Sequence, residues 1–257
     1  MSMVKQPQEV EIIGQGGKIL SAILDQVLEL AKIGVSTTEL DHLAEKLIVE
    51  AGGVPSFKGY ASRAGDEPFP TTICASVNSQ LVHTPASDYV LQDGDILTVD
   101  IGMRYPAKDG FYTDMAKTKA IGAVSEVTEK LLQVTRESLN KGIAAAKAGG
   151  YISDISKAVQ QHVEQAGFSV VRDLVGHGVG YAVHEDPRVP NYFDPRHKAV
   201  KLEEGMVLAI EPMVNVGGPA IKTEDDGWTI SAADGSLCAH FEHTVVITKA
   251  GAKILAA

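Results

Sequence analysis

Four acidic residues interrupt apolar, strand-like runs of the chain. Asp100 lies in ILTVDIG, Asp114 in FYTDMAKT, Glu211 in VLAIEPMV and Glu242 in CAHFEHTVVIT. Acids are rarely fully buried unless paired, and for any one of them strand alternation offers a plain account, with the carboxylate facing water from a half-exposed strand. Four together weaken that account, because two fall in consecutive strands of each half of the chain. If the halves pack against each other, all four can converge at the junction. Carboxylates crowded at low effective dielectric repel one another, so cations must neutralise them. Two divalent ions would supply four positive charges and take the formal charge from −10 to −6. Oxygen-rich ligation suits Mn, Mg or Fe better than a thiolate site would.

Imidazoles sharpen this expectation. GHGVGYAVHEDP, Gly176 to Pro187, places His177 and His184 seven residues apart. That spacing would share a helix face, but glycines at 176, 178 and 180 oppose a helix. On a regular strand an odd spacing separates the two, whereas a glycine-loosened strand or loop can present both to one cavity. The order is not H-E-x-x-H, which excludes the zincin arrangement. His83, in NSQLVHTP, is a third candidate. His42, His162 and His197 read as ordinary hydrogen-bonded histidines, while His240 and His243 flank Glu242 and are candidates to orient it. GQGG (Gly14 to Gly17) lacks the spacing and preceding strand of a dinucleotide fingerprint. Cys74 and Cys238 are too few for a disulfide framework or a C-x-x-C zinc module and read as buried thiols.

The elements that must position these groups repeat in order. Apolar residues from about 8 to 33 recur at helical spacing (Ile12, Ile19, Ile23, Val27, Leu30), and Gly34 ends the run. Ser36 and Glu39 have the spacing of a capping box that opens a second helix through Leu40, Leu43, Leu47 and Ile48, closed by Gly52 and Gly53. A Pro- and Gly-rich stretch gives way to strand-like TTICASVN, GDILTVDIGM and FYTDMAKTKAIG. Ser125 then starts a long helix that ends at Gly149–Gly150, and Ser153 or Asp154 caps another reaching Ala166. Strands resume in FSVVRD, GMVLAIEPMV and LCAHFEHTVVIT. Helix, helix and strands, twice over, indicate α+β rather than an alternating parallel sheet. We expect one domain over 1–257, built of related halves at about 8–120 and 121–250.

Composition bounds the function classes. The 257 residues are 44% apolar and 5% aromatic, enough for an aliphatic core. The net charge of −10 argues against nucleic-acid recognition and against binding to an anionic membrane. No apolar run is long enough to span a bilayer, and MSMVKQPQEVEI has no apolar signal core, so a reduced cytoplasm is the expected setting.

Taken together, GHGVGYAVHEDP, EEGMVLAIEPMVNVGG, DGWTI and HFEHTVVIT resemble the type 1 methionine aminopeptidases, over nearly the whole chain. The resemblance implies the pita-bread fold, two pseudo-symmetric helix-helix-strands halves around a central antiparallel sheet. It implies two bridged divalent ions, Co, Mn, Fe or Zn, an arrangement used by aminopeptidases generally. Carried over by position, Asp100 chelates the first ion, Asp114 and Glu242 bridge both, and His177 and Glu211 complete the second. His83 and His184 match substrate-contacting histidines. Glu211 is the implied proton shuttle, and Phe57, Tyr60, Phe69, Cys74, Val183 and Trp228 fall where a methionine pocket is built. The implied reaction is removal of the N-terminal methionine from nascent polypeptides when the second residue is small. The expected state is a cytoplasmic monomer, with the ribosome surface as a candidate further partner.

Only 27 positions separate His184 from Glu211, too few for the helical insert of the type 2 enzymes, and the resemblance is to type 1 members without the N-terminal zinc-finger extension. Three departures accompany the resemblance. His83-Thr84-Pro85 is one residue shorter than the usual H-G-[IV]-P, the Asp100-to-Asp114 separation is 14, and an extra stretch runs from about Ser62 to Glu67. A Xaa-Pro aminopeptidase or dipeptidase of the same fold, and a metal-free relative that binds protein or RNA, are the alternative readings.

Overall fold

The computed structural model describes residues 2–61, 67–196 and 199–257. The extra stretch near Ser62, apart from Glu67, and His197 lie outside the described residues. Helix α1 (Pro7–Leu30) opens with proline in its first turn, where the missing N–H costs nothing, and Glu9 accepts from the Gln6 N–H at 2.7 Å. It ends three residues before the expected boundary, and Lys119 Nζ reaches the carbonyls of Leu28 and Ala31 there at 2.5 and 2.9 Å. A cation there satisfies open carbonyls and the negative end of the helix dipole. Helix α2 (Thr37–Glu50) carries the predicted capping box in full: Ser36 Oγ accepts from Glu39 N–H, and Glu39 accepts from Ser36 N–H.

Helix α3 (Glu126–Ala145) begins at the Ser125 cap as the sequence indicates. Helix α4 (Ile152–Gln165) begins earlier than Ser153 or Asp154 would allow as caps. Asp154 instead sits inside the first turn and accepts from Tyr151 N–H at 2.9 Å. An acid three residues into a helix performs the same service for the chain entering it.

All named strand pairings are antiparallel. In the first half, Ile73–Val77 and Phe111–Ala120 flank the ten-residue strand Ile96–Tyr105, with Val54–Pro55 paired to its far end. Helices α1 and α2 cover this sheet through Leu20, Leu24, Leu40 and Ile48, packed on Ile73, Leu97, Val99 and Ile101. In the second half, a five-stranded sheet runs Gly251–Ala256, His243–Thr248, Val207–Ile210, Gly176–Gly178, Glu185–Val189. Leu131, Leu139, Ile155 and Val159 of α3 and α4 pack there against Leu208, Ile210 and Val245. Gly17 gives α1 its closest approach to the second half, since a Cβ there would collide with the Leu255 backbone.

Two expected strands are each split. GMVLAIEPMV becomes Val207–Ile210 and Met213–Asn215, and LCAHFEHTVVIT becomes Cys238–His240 and His243–Thr248. The breaks face each other: Val207–Ile210 pairs with His243–Thr248, whereas Met213–Asn215 pairs with Cys238–His240 in a separate sheet. Pro212 cannot donate to a ladder, which helps end the first pairing where it stands. Glu211 and Glu242 occupy this corner.

Candidate metal centre

Each half delivers two carboxylates to the seam. Asp100 is opposite Cys74 and Ala116 in the first sheet, and Asp114 lies on the neighbouring strand opposite Gly102. The seam is sewn by backbone: Glu242 N–H donates to Ala116 O at 2.9 Å, and Ala116 N–H returns to Glu242 O at 3.4 Å. Thr118 Oγ1 donates to His240 O and accepts from His240 N–H, at 2.8 and 2.9 Å. Thr244 Oγ1 donates to Asp114 O at 2.7 Å. These ties fix the strand Phe111–Ala120, and Asp114 with it, against the second half.

The alternation account of the acids fails. Asp100, Asp114, Glu211 and Glu242 are only 8%, 3%, 9% and 2% exposed. They line one cavity of about 260 Å³ together with His83, His177, His184 and His240. His177 Nε2 is 3.4 Å from Glu211 Oε1 and 3.6 Å from Asp114 Oδ2. Its Nδ1 lies 3.0 Å from Gly178 O, an acceptor, so Nδ1 carries the proton and Nε2 turns its lone pair inward. One ligand atom each from Asp114, His177 and Glu242 falls within 4.8 Å of the others.

The electrostatics ask for a cation. Asp100 Oδ1 and Glu242 Oε1 are buried without a hydrogen-bond partner, and no lysine or arginine lines the cavity among the described residues. Burial pushes the carboxyls of Asp100, Glu211 and Glu242 well above the ordinary range, and the neighbouring acids push them further. Burial likewise raises Asp114 to about 6, against the pull of His184 and Thr244. Such a set strains to stay ionised alone and is relieved by divalent charge. The donor set, four carboxylates and an imidazole, fits oxygen-favouring divalent ions.

His184 is on the segment leading into Glu185–Val189, across a hairpin from His177, with ring centroids 4.5 Å apart. The glycine-bearing segment therefore does bring both histidines to one cavity. Tyr60 Oη lies 3.0 Å from His184 Nδ1. His83 reaches the cavity from a left-handed backbone (φ 59°), which is how the shortened loop still presents its ring. Burial, then neighbouring imidazoles, lowers His83 and His184 to about 4 and His240 to about 3, so all three are neutral near pH 7. His240 Nε2 stands 3.7 Å from Glu211 and 3.9 Å from Glu242, whereas His243 turns away, its Nδ1 on Glu242 O.

The same cavity is also lined by Phe57, Tyr60, Phe69, Cys74 and Trp228, with Phe69 and Trp228 edge to face at 5.2 Å. Val183 is the exception. It is buried but lines a neighbouring cavity with Tyr60, Arg104 and Tyr181, because it lies on the turn between two strands. Sequence reasoning missed Val82, Leu174, Val175 and Met213, which also line the site. The available signal was adjacency: Val82 precedes His83, Leu174 and Val175 precede Gly176-His177, and Met213 follows Glu211 by two. His162 makes an ordinary contact with Glu137 at 3.1 Å, His42 is exposed, and Cys238 is a buried thiol donating to Ser79 O.

The profile of metallopeptidase family M24 matches residues 11–249. A methionine aminopeptidase of Clostridium perfringens is 47% identical over 255 residues, covering 99% of this chain and 98% of its own. Methionine aminopeptidase 1 of Bacillus subtilis is also 47% identical, covering 99% of each. The crystal structure of methionine aminopeptidase from Thermotoga maritima superposes with a TM-score of 0.91 at 40% identity, over 98% of both chains. The pita-bread α+β fold expected from the sequence is thereby established. The chain belongs to metallopeptidase family M24, among its methionine aminopeptidases, and shares that family's use of divalent metal.

Proposed function

We propose that the protein hydrolyses the peptide bond after an N-terminal methionine when the second residue is small, with Asp100, Asp114, His177, Glu211 and Glu242 holding two divalent ions. The observation that carries this reading is the convergence of four buried, uncompensated carboxylates in one cavity that aromatic and apolar side chains also line. When bound, the ions acidify water and polarise the scissile carbonyl. Glu211 takes the proton from the attacking water and passes it to the leaving amine. Its buried, raised carboxyl suits that exchange. With Tyr60 donating its phenolic proton to Nδ1, His184 keeps its own on Nε2 and donates to the developing oxyanion. His83 contacts the substrate beyond the scissile bond, and a carboxylate beside the cavity holds the free α-ammonium. Phe57, Tyr60, Phe69, Cys74 and Trp228 surround the methionine side chain. Burying that side chain contributes roughly 1.5–3 kcal/mol, with about 0.3–1.5 more from sulfur–aromatic contact.

Residues 1–257 act in this reading as one catalytic domain with halves at about 8–120 and 121–250. The ions are Co, Mn, Fe or Zn. The protein works as a cytoplasmic monomer on nascent chains, with the ribosome surface as a further contact; gel filtration and ribosome co-sedimentation test both. A Xaa-Pro activity is not favoured, since the near-full-length relatives are methionine aminopeptidases. A metal-free binding role is opposed by the presence of all five ligating side chains. Peptide turnover decides: Met-Ala-Ser should be cleaved and Met-Lys-Ser and Ala-Pro-Ser largely spared. Preferred cleavage of Ala-Pro-Ser would overturn the reading.

A further inference from the structure

The side chain of Lys5 is fully buried. It is 0% exposed and its Nζ lies 2.6 Å from Glu185 Oε2, itself 7% exposed, across 180 residues of sequence. An ammonium is not buried so completely without a partner, and a pair so placed is costly to break from one side. The arm that carries Lys5 is itself fixed: Lys5 N–H donates to Gly205 O at 2.9 Å, and Val4 bridges to Met206.

Glu185 is the residue after His184, and it organises the turn on which His184 stands. While Oε2 meets Lys5, Oε1 accepts from the backbone N–H groups of Tyr181 and Ala182. Lys5 Nζ also lies 4.2 Å from the centroid of the Tyr181 ring, and the Tyr181 hydroxyl donates to Glu9 at 2.6 Å. Gly180 completes the fit, at φ 138°, where a Cβ would strike the Lys5 stem. Its carbonyl accepts from Tyr112 N–H at 2.8 Å, on the strand that carries Asp114. The turn is thus held on one side by the Asp114 strand and on the other by the buried Lys5 ammonium, with Glu9 of α1 taking the Tyr181 hydroxyl.

We propose that Lys5 is a positioning residue for His184: through Glu185, its buried ammonium sets the 180–185 turn that aims the imidazole into the cavity. This rests on the reading of His184 as an oxyanion donor, and it adds that turnover depends on the docked N-terminal arm. Lys5 touches neither the metal-ligating side chains nor the cavity. Its loss should therefore move kcat and leave metal content and KM largely alone, since a donor displaced by about 1 Å costs on the order of a hundredfold.

The test compares Lys5→Met, Lys5→Arg and Glu185→Gln with the unaltered protein. Turnover of Met-Ala-Ser, bound metal and the 15N-histidine NMR spectrum are measured, with the His184 resonance assigned by its loss in His184→Ala. Lys5→Met should lower kcat by about tenfold to a hundredfold, with KM within about threefold, and should shift the His184 resonance while those of His42 and His162 stay. Lys5→Arg, which keeps the charge, should recover both readouts in part. Should Lys5→Met fail to fold, Glu185→Gln carries the same expectation. A His184 resonance and kcat unchanged in whichever of these variants folds would overturn the proposal. Failure of the unaltered protein to cleave Met-Ala-Ser would instead count against the functional reading, and the His184 resonance would still judge the role of Lys5.

Discussion

Glu242 and Ala116 exchange both of their backbone hydrogen bonds across the seam between the halves. The bridge pins a residue at a strand break of the second half to the middle of an unbroken strand of the first, two residues past Asp114. Two acids from different halves are thereby held by main chain before either side chain meets a ligand. Replacing Asp114 or Glu242 by Ala should abolish turnover and metal binding together, because each leaves the ions under-coordinated. Metal analysis beside a Met-Ala-Ser assay checks this. Near-normal turnover with two ions bound would show that the bridges are misassigned.

How legible this was in the sequence differs from acid to acid. Asp100 and Asp114 stand in continuous strands; apolar Val99 and Ile101 flank Asp100, whereas Asp114 follows Thr113 and drew notice only as one of four acids in strand-like runs. Glu211 and Glu242 looked the same, yet each sits where its strand leaves one sheet for another. A period-two pattern follows side chains along a strand and carries no record of which partner the strand pairs with. Val183 shows a related limit, since a residue next to a functional histidine on a turn need not share its direction. The Lys5–Glu185 pair was invisible for a plainer reason: an isolated lysine near a chain start reads as solvated, and only the tertiary fold buries it.

The metal-free protein should lose stability as pH rises above about 6.5. Asp100, Glu211 and Glu242 have carboxyls pushed well above their unfolded values of roughly 4, and Asp114 is raised to about 6. The folded state therefore binds more protons, and the stabilisation present at low pH is lost as pH climbs through the folded values. Below about 6.5 the lowered histidines His83, His184 and His240 oppose this trend, since the unfolded chain protonates them first. Thermal melts of the chelated protein from pH 6.5 to 8.5 should show Tm falling as pH rises. Added divalent metal should reverse the fall, and Glu242→Gln should raise the metal-free Tm at pH 8. A chelated Tm that rises across this range would contradict the electrostatic account.

His184→Ala should lower kcat by on the order of a hundredfold or more with metal content intact, as removal of an oxyanion donor does. His83→Ala should behave likewise. Metal loss in either variant would move that histidine among the ligands.

Trp228 lines the cavity of the metal centre and Val183 the neighbouring one. Trp228 packs edge to face on Phe69 in the cavity lining, so Trp228→Ala should raise KM for Met-Ala peptides by about tenfold or more without changing metal affinity. Val183→Ala, facing the neighbouring cavity, should leave KM within about twofold. Equal effects of the two changes would show that the pocket is drawn wrongly.

If the four buried carboxylates and His177 form a metal centre that releases N-terminal methionine, that release must depend on bound metal. The most direct measurement is free methionine released from Met-Ala-Ser by the chelated protein as Mn, Fe, Co or Zn is added back in turn. Without metal no methionine should be released, and at least one of these ions should restore release, reaching a plateau near two ions per chain. Undiminished release by the rigorously metal-free protein would contradict that dependence.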